Sequence, residues 1–429
     1  MKFSKIIVLS FLTICFQVNA QLSNTEQKIL DRIDANYDES ISFLETAVNI
    51  NSGSLNIEGV QKVGTLFGSA FSEIGFTNTW ISLPKDMKRG GHLVSELSDG
   101  KAKGKKLLLI GHLDTVFEED SPFQKFRRSG DTIFGPGVND MKGGDVIILY
   151  ALKALQEVGA LKKTQIIVIL NGDEEKVGSP RDVSRQPLID AAKRSDIALG
   201  FEGATGFNYA TVARRGTASW TLETTGIRKH SAGIFSKDTG AGAIYEASRI
   251  LNAFYENLQE EYLTYNPGLI LGGSLIEVSE DESRGSASGK TNVVSPNVFV
   301  KGDLRFLTSE QMQKARIEME EIVDLHLPQT DAKFTFEEGY PSMPPTDGNM
   351  KVLKILSKIS DDLGHGEVLP YDPGKRGAGD ISFVADYVDA LDGLGTFGDG
   401  AHTLSETMDA TTFKDFMKRA ALLIYRLIK

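Results

Sequence analysis

Seven residues of this 429-residue chain have types and settings that suit chemistry. His112 and Asp114 lie in "GHLDTVF", Asp140 in "GPGVNDMKGG", Glu174 and Glu175 in "NGDEEKVGS", Glu202 in "GFEGATG" and His402 in "FGDGAHTLSE". Imidazoles and carboxylates without a thiolate form a hard nitrogen and oxygen ligand set, suited to zinc, with cobalt or manganese as alternatives. One ion cannot use all these groups. Two ions sharing a carboxylate can, and such pairs stand roughly 3.5–4 Å apart in hydrolases. The run Asp173-Glu174-Glu175 raises the same need from another side, because adjacent carboxylates repel and call for a nearby positive charge.

Each residue also has a quieter explanation. A lone histidine at a strand end is more often a hydrogen-bonded structural group than a ligand. Asp140, set among glycines, could cap the helix that follows it. Glu175 and Glu202 could be solvated loop acids. What favours chemistry is the joint placement of these groups in loops at strand ends.

Those loops need elements to hold them. Leu107 to Ile110 and Gln165 to Leu170 read as buried strands, and Ile197 to Leu199 as a shorter one. Ile29, Leu30, Ile33, Leu44 and Val48 have helical spacing, as do Val60, Val63, Leu66 and Phe67. Short apolar runs between helices predict an α/β unit, its sheet covered on both faces and its ligands at the carboxyl ends of the strands. Near Thr211 the rhythm changes. Strands at 218–225, 269–278, 292–307 and 332–337, with helices at 241–262 and 309–326, give the order β-α-β-β-α-β of a ferredoxin-like α+β domain. From about Asn349 the α/β rhythm resumes. The chain therefore divides into a leader (1–20), a first catalytic part (21–211), an inserted domain (212–338) and a second catalytic part (339–429).

The net charge of −11 argues against nucleic acid or an anionic membrane as a partner. Lys2 and Lys5, the apolar run from Ile6 to Phe16 and the ending Val18-Asn19-Ala20 have the layout of a signal peptide cleaved after Ala20. That run is too short for a membrane span, which needs roughly 20 apolar residues. The expectation is a periplasmic or secreted protein. Cys15, the only cysteine, lies inside this segment, so the mature chain offers neither disulfides nor thiolate ligands.

Together the stretches above, with "HSAG", "TNVVSPNVFVKGDLR" and "GAGD", resemble the glutamate carboxypeptidase, aminoacylase and succinyl-diaminopimelate desuccinylase superfamily of co-catalytic zinc hydrolases. They follow the family order over almost the whole mature chain and look closest to the secreted glutamate carboxypeptidase branch. The resemblance implies a zinc-exopeptidase-like α/β unit, its mixed sheet covered by helices on both faces, carrying an inserted ferredoxin-like dimerisation domain. It implies two Zn2+ per subunit: His112 and Glu202 on one ion, Glu175 and His402 on the other, Asp140 bridging both. Asp114 would hydrogen-bond the His112 ring, and Glu174 would be the general base.

His230 in "RKHSAG" would reach the active site of a partner subunit in a homodimer. Asn292 and Arg305, placed near each other on one stretch, would contact a small peptide or N-acyl amino acid. The sequence departs from the family pattern where substrate is chosen. "GKRGAGD" brings Lys375 and Arg376 close to Asp380, and Tyr340 in "EEGYPSM" stands where a basic residue is expected. Arg214, Arg215 and Arg376 are candidate replacements for that cation. The expected activity is exopeptidase hydrolysis of an amide next to a free carboxylate. The rivals are an N-acyl-amino-acid amidohydrolase, a dipeptidase, or a non-catalytic binding protein on the same fold, which would be expected to lack a ligand or the base.

Overall fold

The computed structural model describes residues 22–98 and 100–429; the leader expected at 1–20 lies outside them. A six-stranded mixed sheet forms the larger unit, in the order Thr77–Ile81, His92–Ser98, Gln165–Asn171, Leu107–His112, Ile197–Gly200, Asp389–Leu391. The last four strands run parallel, and His92–Ser98 joins them antiparallel. Side chains alternate along each strand, and here both faces are buried. Leu107, Leu109, Ile166, Val168 and Leu170 enter one core, with the helices Asn24–Val48, Ile57–Glu73, Lys142–Glu157 and Ala410–Ile428. Leu108, Ile110, Ile167 and Ile169 enter the other, under the helix Arg181–Ala192 and the short 3-10 helix Asp380–Val384. Near-continuous apolar runs are the sequence mark of strands covered on both sides.

Because four neighbouring strands are parallel, their carboxyl ends line one edge of the sheet. The loops after His112, Asn171 and Gly200 all leave from that edge. Sequence positions some 90 residues apart thus become neighbours, which is how open α/β sheets build ligand sites.

The second sheet has the order Thr264–Gly273, Asn297–Phe306, Gly216–Gly226, Thr330–Glu338, every pair antiparallel. With the helices Ala243–Asn257 and Ser309–Val323 it has the ferredoxin-like connectivity, and Trp220, Leu222, Ile250, Phe254, Leu304 and Met319 form a core of its own. Two elements differ from the sequence expectation. The strand expected over 269–278 ends at Gly273, and Leu275–Val278 instead pairs with Gly285–Ser288 as a separate hairpin. A Cβ on Gly273 would stand 2.6 Å from the Ser288 carbonyl oxygen, so this junction requires glycine. The strand expected from Asn292 begins only at Asn297, after Pro296, which has no N–H for a ladder.

That late start corrects the expected closeness of Asn292 and Arg305. Asn297 pairs with Thr225 at one end of the neighbouring strand and Arg305 with Thr217 at the other. Eight residues of extended chain separate these ends by roughly 26 Å, and Asn292 lies beyond the farther one. Arg305 stands at the end where this sheet joins the larger unit; Asn292 and His230 stand at the opposite end.

Candidate metal centre

His112 closes its strand fully buried, its Nδ1 3.0 Å from the Asp114 carbonyl oxygen. The Asp114 carboxylate, expected to bond the ring itself, is 3.5 Å from Nδ1 and mainly serves another purpose. It accepts from Ser54 Oγ at 2.6 Å and from the N–H groups of Glu174 and Glu175 at 3.0 and 3.1 Å, fastening the two loops together. With Nδ1 held, Nε2 faces Asp140 Oδ1 at 3.1 Å and Glu202 Oε1 at 3.7 Å. On the other side of Asp140, Oδ2 is 3.0 Å from His402 Nε2, which is itself 3.1 Å from Glu175 Oε2.

Two overlapping triads result, His112–Asp140–Glu202 and Asp140–Glu175–His402. In each, one ligand atom per residue lies within 4.8 Å of the others. His402 is 58 % exposed and closes the cluster on its solvent side, with a left-handed backbone at φ 65°.

The electrostatics call for a cation. Burial first, then Asp140, pushes the Glu202 carboxyl up to about 7. Burial, then the charge of Asp380, holds Glu174 well above the usual carboxylate range. Hydrogen bonds to Asp140 and Glu175 raise His402 to about 11, a sign of the negative field that a bound cation would balance. Glu175 Oε1 is buried with no hydrogen-bond partner among the described residues. A hard donor set, an orphaned carboxylate oxygen and mutually repelling acids fit bound divalent cations.

Known proteins agree. The pattern describing Peptidase family M20/M25/M40 matches residues 108–429, three quarters of the chain. The chain belongs to this family.

Carboxypeptidase G2 of Pseudomonas sp. (strain RS-16) is 28 % identical over 393 residues, covering 90 % of this chain and 88 % of that protein. Succinyl-diaminopimelate desuccinylase of Gluconobacter oxydans (strain 621H) is 23 % identical over 332 residues, covering 73 % and 79 %. Among solved structures, aminopeptidase PepT from Bacillus cereus ATCC 10987 has a TM-score of 0.73 at 17 % identity, covering 91 % of this chain and 99 % of its own. The Bacillus subtilis YXEP protein, described as a dinuclear metal-binding peptidase of the M20 family, has a TM-score of 0.63 at 14 % identity, covering 92 % and 99 %. The two structural matches establish the fold. As an M20 peptidase the chain is a metal-dependent hydrolase of peptide bonds.

Around its centre this M20 peptidase has supports that the sequence did not reveal. Glu406, fully buried, accepts from the N–H groups of Gly137, Asn139 and Asp140 at 3.3, 2.8 and 3.0 Å, holding the loop that presents Asp140. The only prior signal was its place at the end of "GAHTLSE". Asp173 takes no part in either triad. It accepts from Ser184 Oγ at 2.8 Å and Gly178 N at 2.8 Å and pairs with buried Arg185 at 2.5 Å. Arg185 Nε also reaches Asp380 at 2.7 Å.

The residues expected to touch substrate are dispersed. His230 is exposed, with Nδ1 accepting from Ala232 N at 3.2 Å, and belongs to neither triad. Asn292 is exposed beside it, its carbonyl accepting from Ser231 N. Arg305 pairs with Asp303 at 3.0 Å. Arg214, a candidate cation for the substrate, is buried and pairs with Asp392 at 2.6 Å. Arg376 donates to Thr211 Oγ1 at 3.2 Å and to the carbonyl of Gly203, the residue after Glu202, at 2.9 Å. The Tyr340 hydroxyl donates to the Glu174 carbonyl at 3.3 Å, and the Arg181 guanidinium lies 5.2 Å from the centre of its ring.

Proposed function

We propose that this M20 peptidase is an exported, dinuclear zinc exopeptidase that hydrolyses an amide bond next to a free carboxylate. What supports this reading is the pair of triads sharing Asp140. His112, Asp140 and Glu202 would hold one ion and Asp140, Glu175 and His402 the other, with zinc preferred and cobalt or manganese as alternatives. When bound, the pair supplies Lewis-acid polarisation of the scissile carbonyl.

The remaining work falls to this chain's own groups. Glu174 makes no side-chain hydrogen bond among the described residues, and burial raises its proton affinity. It takes a proton from the attacking water and returns it to the leaving nitrogen. Asp114 keeps the Glu174 loop in register with His112. His230 and Asn292, remote from the larger unit at the far end of the second sheet, would act in the site of a second copy as oxyanion donor and substrate contact. This makes the working unit a homodimer. Arg305 and Arg376 are the cations available to a substrate carboxylate. The names of the two curated relatives, a carboxypeptidase and a desuccinylase, agree with amide cleavage beside such a group. An N-acyl-amino-acid amidohydrolase or a dipeptidase would use the same centre. The basic start and apolar run of residues 1–20 support export.

Elemental analysis of protein purified without chelator should approach two metal ions per chain, and Asp140→Ala should lose both together with activity. Full metal content and activity in Asp140→Ala would refute the shared bridge.

A further inference from the structure

We propose that Arg376 is the specificity-determining anion anchor of this site, pairing with the substrate's free carboxylate beside the Glu202 edge of the metal centre. This deepens, and rests on, the reading that the substrate carries such a carboxylate.

The case begins with pairing. Arg214 has Asp392, Arg185 has Asp173 and Asp380, and Arg305 has Asp303. Arg376 has only neutral acceptors, Thr211 Oγ1 and the Gly203 carbonyl, and makes no ion pair among the described residues. It is nevertheless half-buried, and burial first, then the neighbouring Arg214, holds its guanidinium below the ordinary arginine range. Asp392, Glu202 and Asp140 act on it through space, but none forms an ion pair with it among the described residues, and a cation drawn from water without a direct partner is unfavourable. A structure that holds such a cation in place has a partner for it in the working state.

Position narrows what the partner is. The Nη2–Gly203 bond ties the guanidinium to the residue directly after Glu202, and Asp140 and Glu202 are among the charges that act on it. Two bonds are made through Nε and Nη2, leaving the Nη1 donors without an acceptor among the described residues. A Cβ on Gly393 would stand 3.6 Å from Nη2, so the glycine places no side chain against the guanidinium there. A planar guanidinium with donors to spare suits a carboxylate, which can take two of its N–H groups at once. Arg305 is the weaker choice for this role. Its side chain is 38 % exposed and already paired with Asp303 on its own strand.

The test compares an N-acyl amino acid that the holoenzyme cleaves well with its primary amide. The wild type should favour the acid by roughly 30-fold or more in kcat/KM. Arg376→Met should reduce that preference to near unity, mainly through KM, with metal content unchanged. Arg376→Lys, which keeps the cation but not the fork, should restore part of it. Lys375→Ala, removing the exposed neighbouring charge, should keep the full preference. An undiminished acid preference in Arg376→Met would overturn the assignment while leaving the carboxylate reading intact. If Arg376→Met does not fold, an undiminished preference in Arg376→Lys would overturn it equally. Equal turnover of acid and amide by the wild type would instead overturn the carboxylate reading itself.

Discussion

Asp173 lies against a buried guanidinium, whereas Glu174 and Glu175, the next two residues along the chain, make no ion pair with an arginine or lysine among the described residues. Asp173 receives hydrogen bonds from Ser184 and Gly178 as well, so its charge is settled inside the fold. Glu175 keeps one buried oxygen without a partner, and Glu174 makes no side-chain hydrogen bond among the described residues. All three follow the same strand, and what separates them is the source of the countercharge. A carboxylate balanced from within is part of the architecture. One left unbalanced beside others like it points to something that arrives from outside, here metal ions and substrate.

The contrast can be sharpened within the unbalanced pair. Glu174→Gln should retain metal and fold while turnover falls roughly a hundred- to ten-thousand-fold, because only proton transfer is lost. Glu175→Gln should weaken metal binding, measured by competition with a chelator. The reverse pattern would mean that the two glutamates have exchanged roles.

The settled side can be broken too. Arg185→Met leaves Asp173 and Asp380 buried together without a cation, and should lower unfolding free energy by about 3–5 kcal/mol. Folded Arg185→Met should still bind metal, since Arg185 touches neither triad. A loss below about 1 kcal/mol, the scale of an exposed pair, would show that Asp173 is not settled as described.

The sequence was most informative where function depends on local order. Apolar runs followed by glycine-bounded polar residues identified the strand ends, and parallel pairing then brings His112, Glu175 and Glu202 to one edge. Partners from elsewhere were hidden. Arg185 reaches Asp173 from a helix twelve residues on, and Arg214 meets Asp392 across 178 positions. No periodicity encodes such pairs. Glu406 was hidden differently, because an acid that accepts backbone N–H groups looks in sequence like any loop acid. The misplacement of Asn292 beside Arg305 came from treating fourteen consecutive positions as a neighbourhood. In a strand they span a length instead.

His230 extends the contrast between what this chain settles by itself and what it receives from outside. Its ring is exposed and lies in neither triad of its own chain, and in the proposed reading it acts in the site of a second copy. Glu174→Gln and His230→Ala should each be inactive alone. In a dimer of one of each, one site combines an intact Glu174 from its own chain with an intact His230 from the other. The second site lacks both. An equal mixture allowed to exchange subunits forms mixed dimers half the time, so activity should return to about a quarter of the wild-type value. Rescue should grow with exchange time and be absent when the two proteins are mixed without exchange. Mixed dimers that form and stay inactive, or a fully active wild-type monomer at assay concentration, would refute the action of His230 across a subunit boundary.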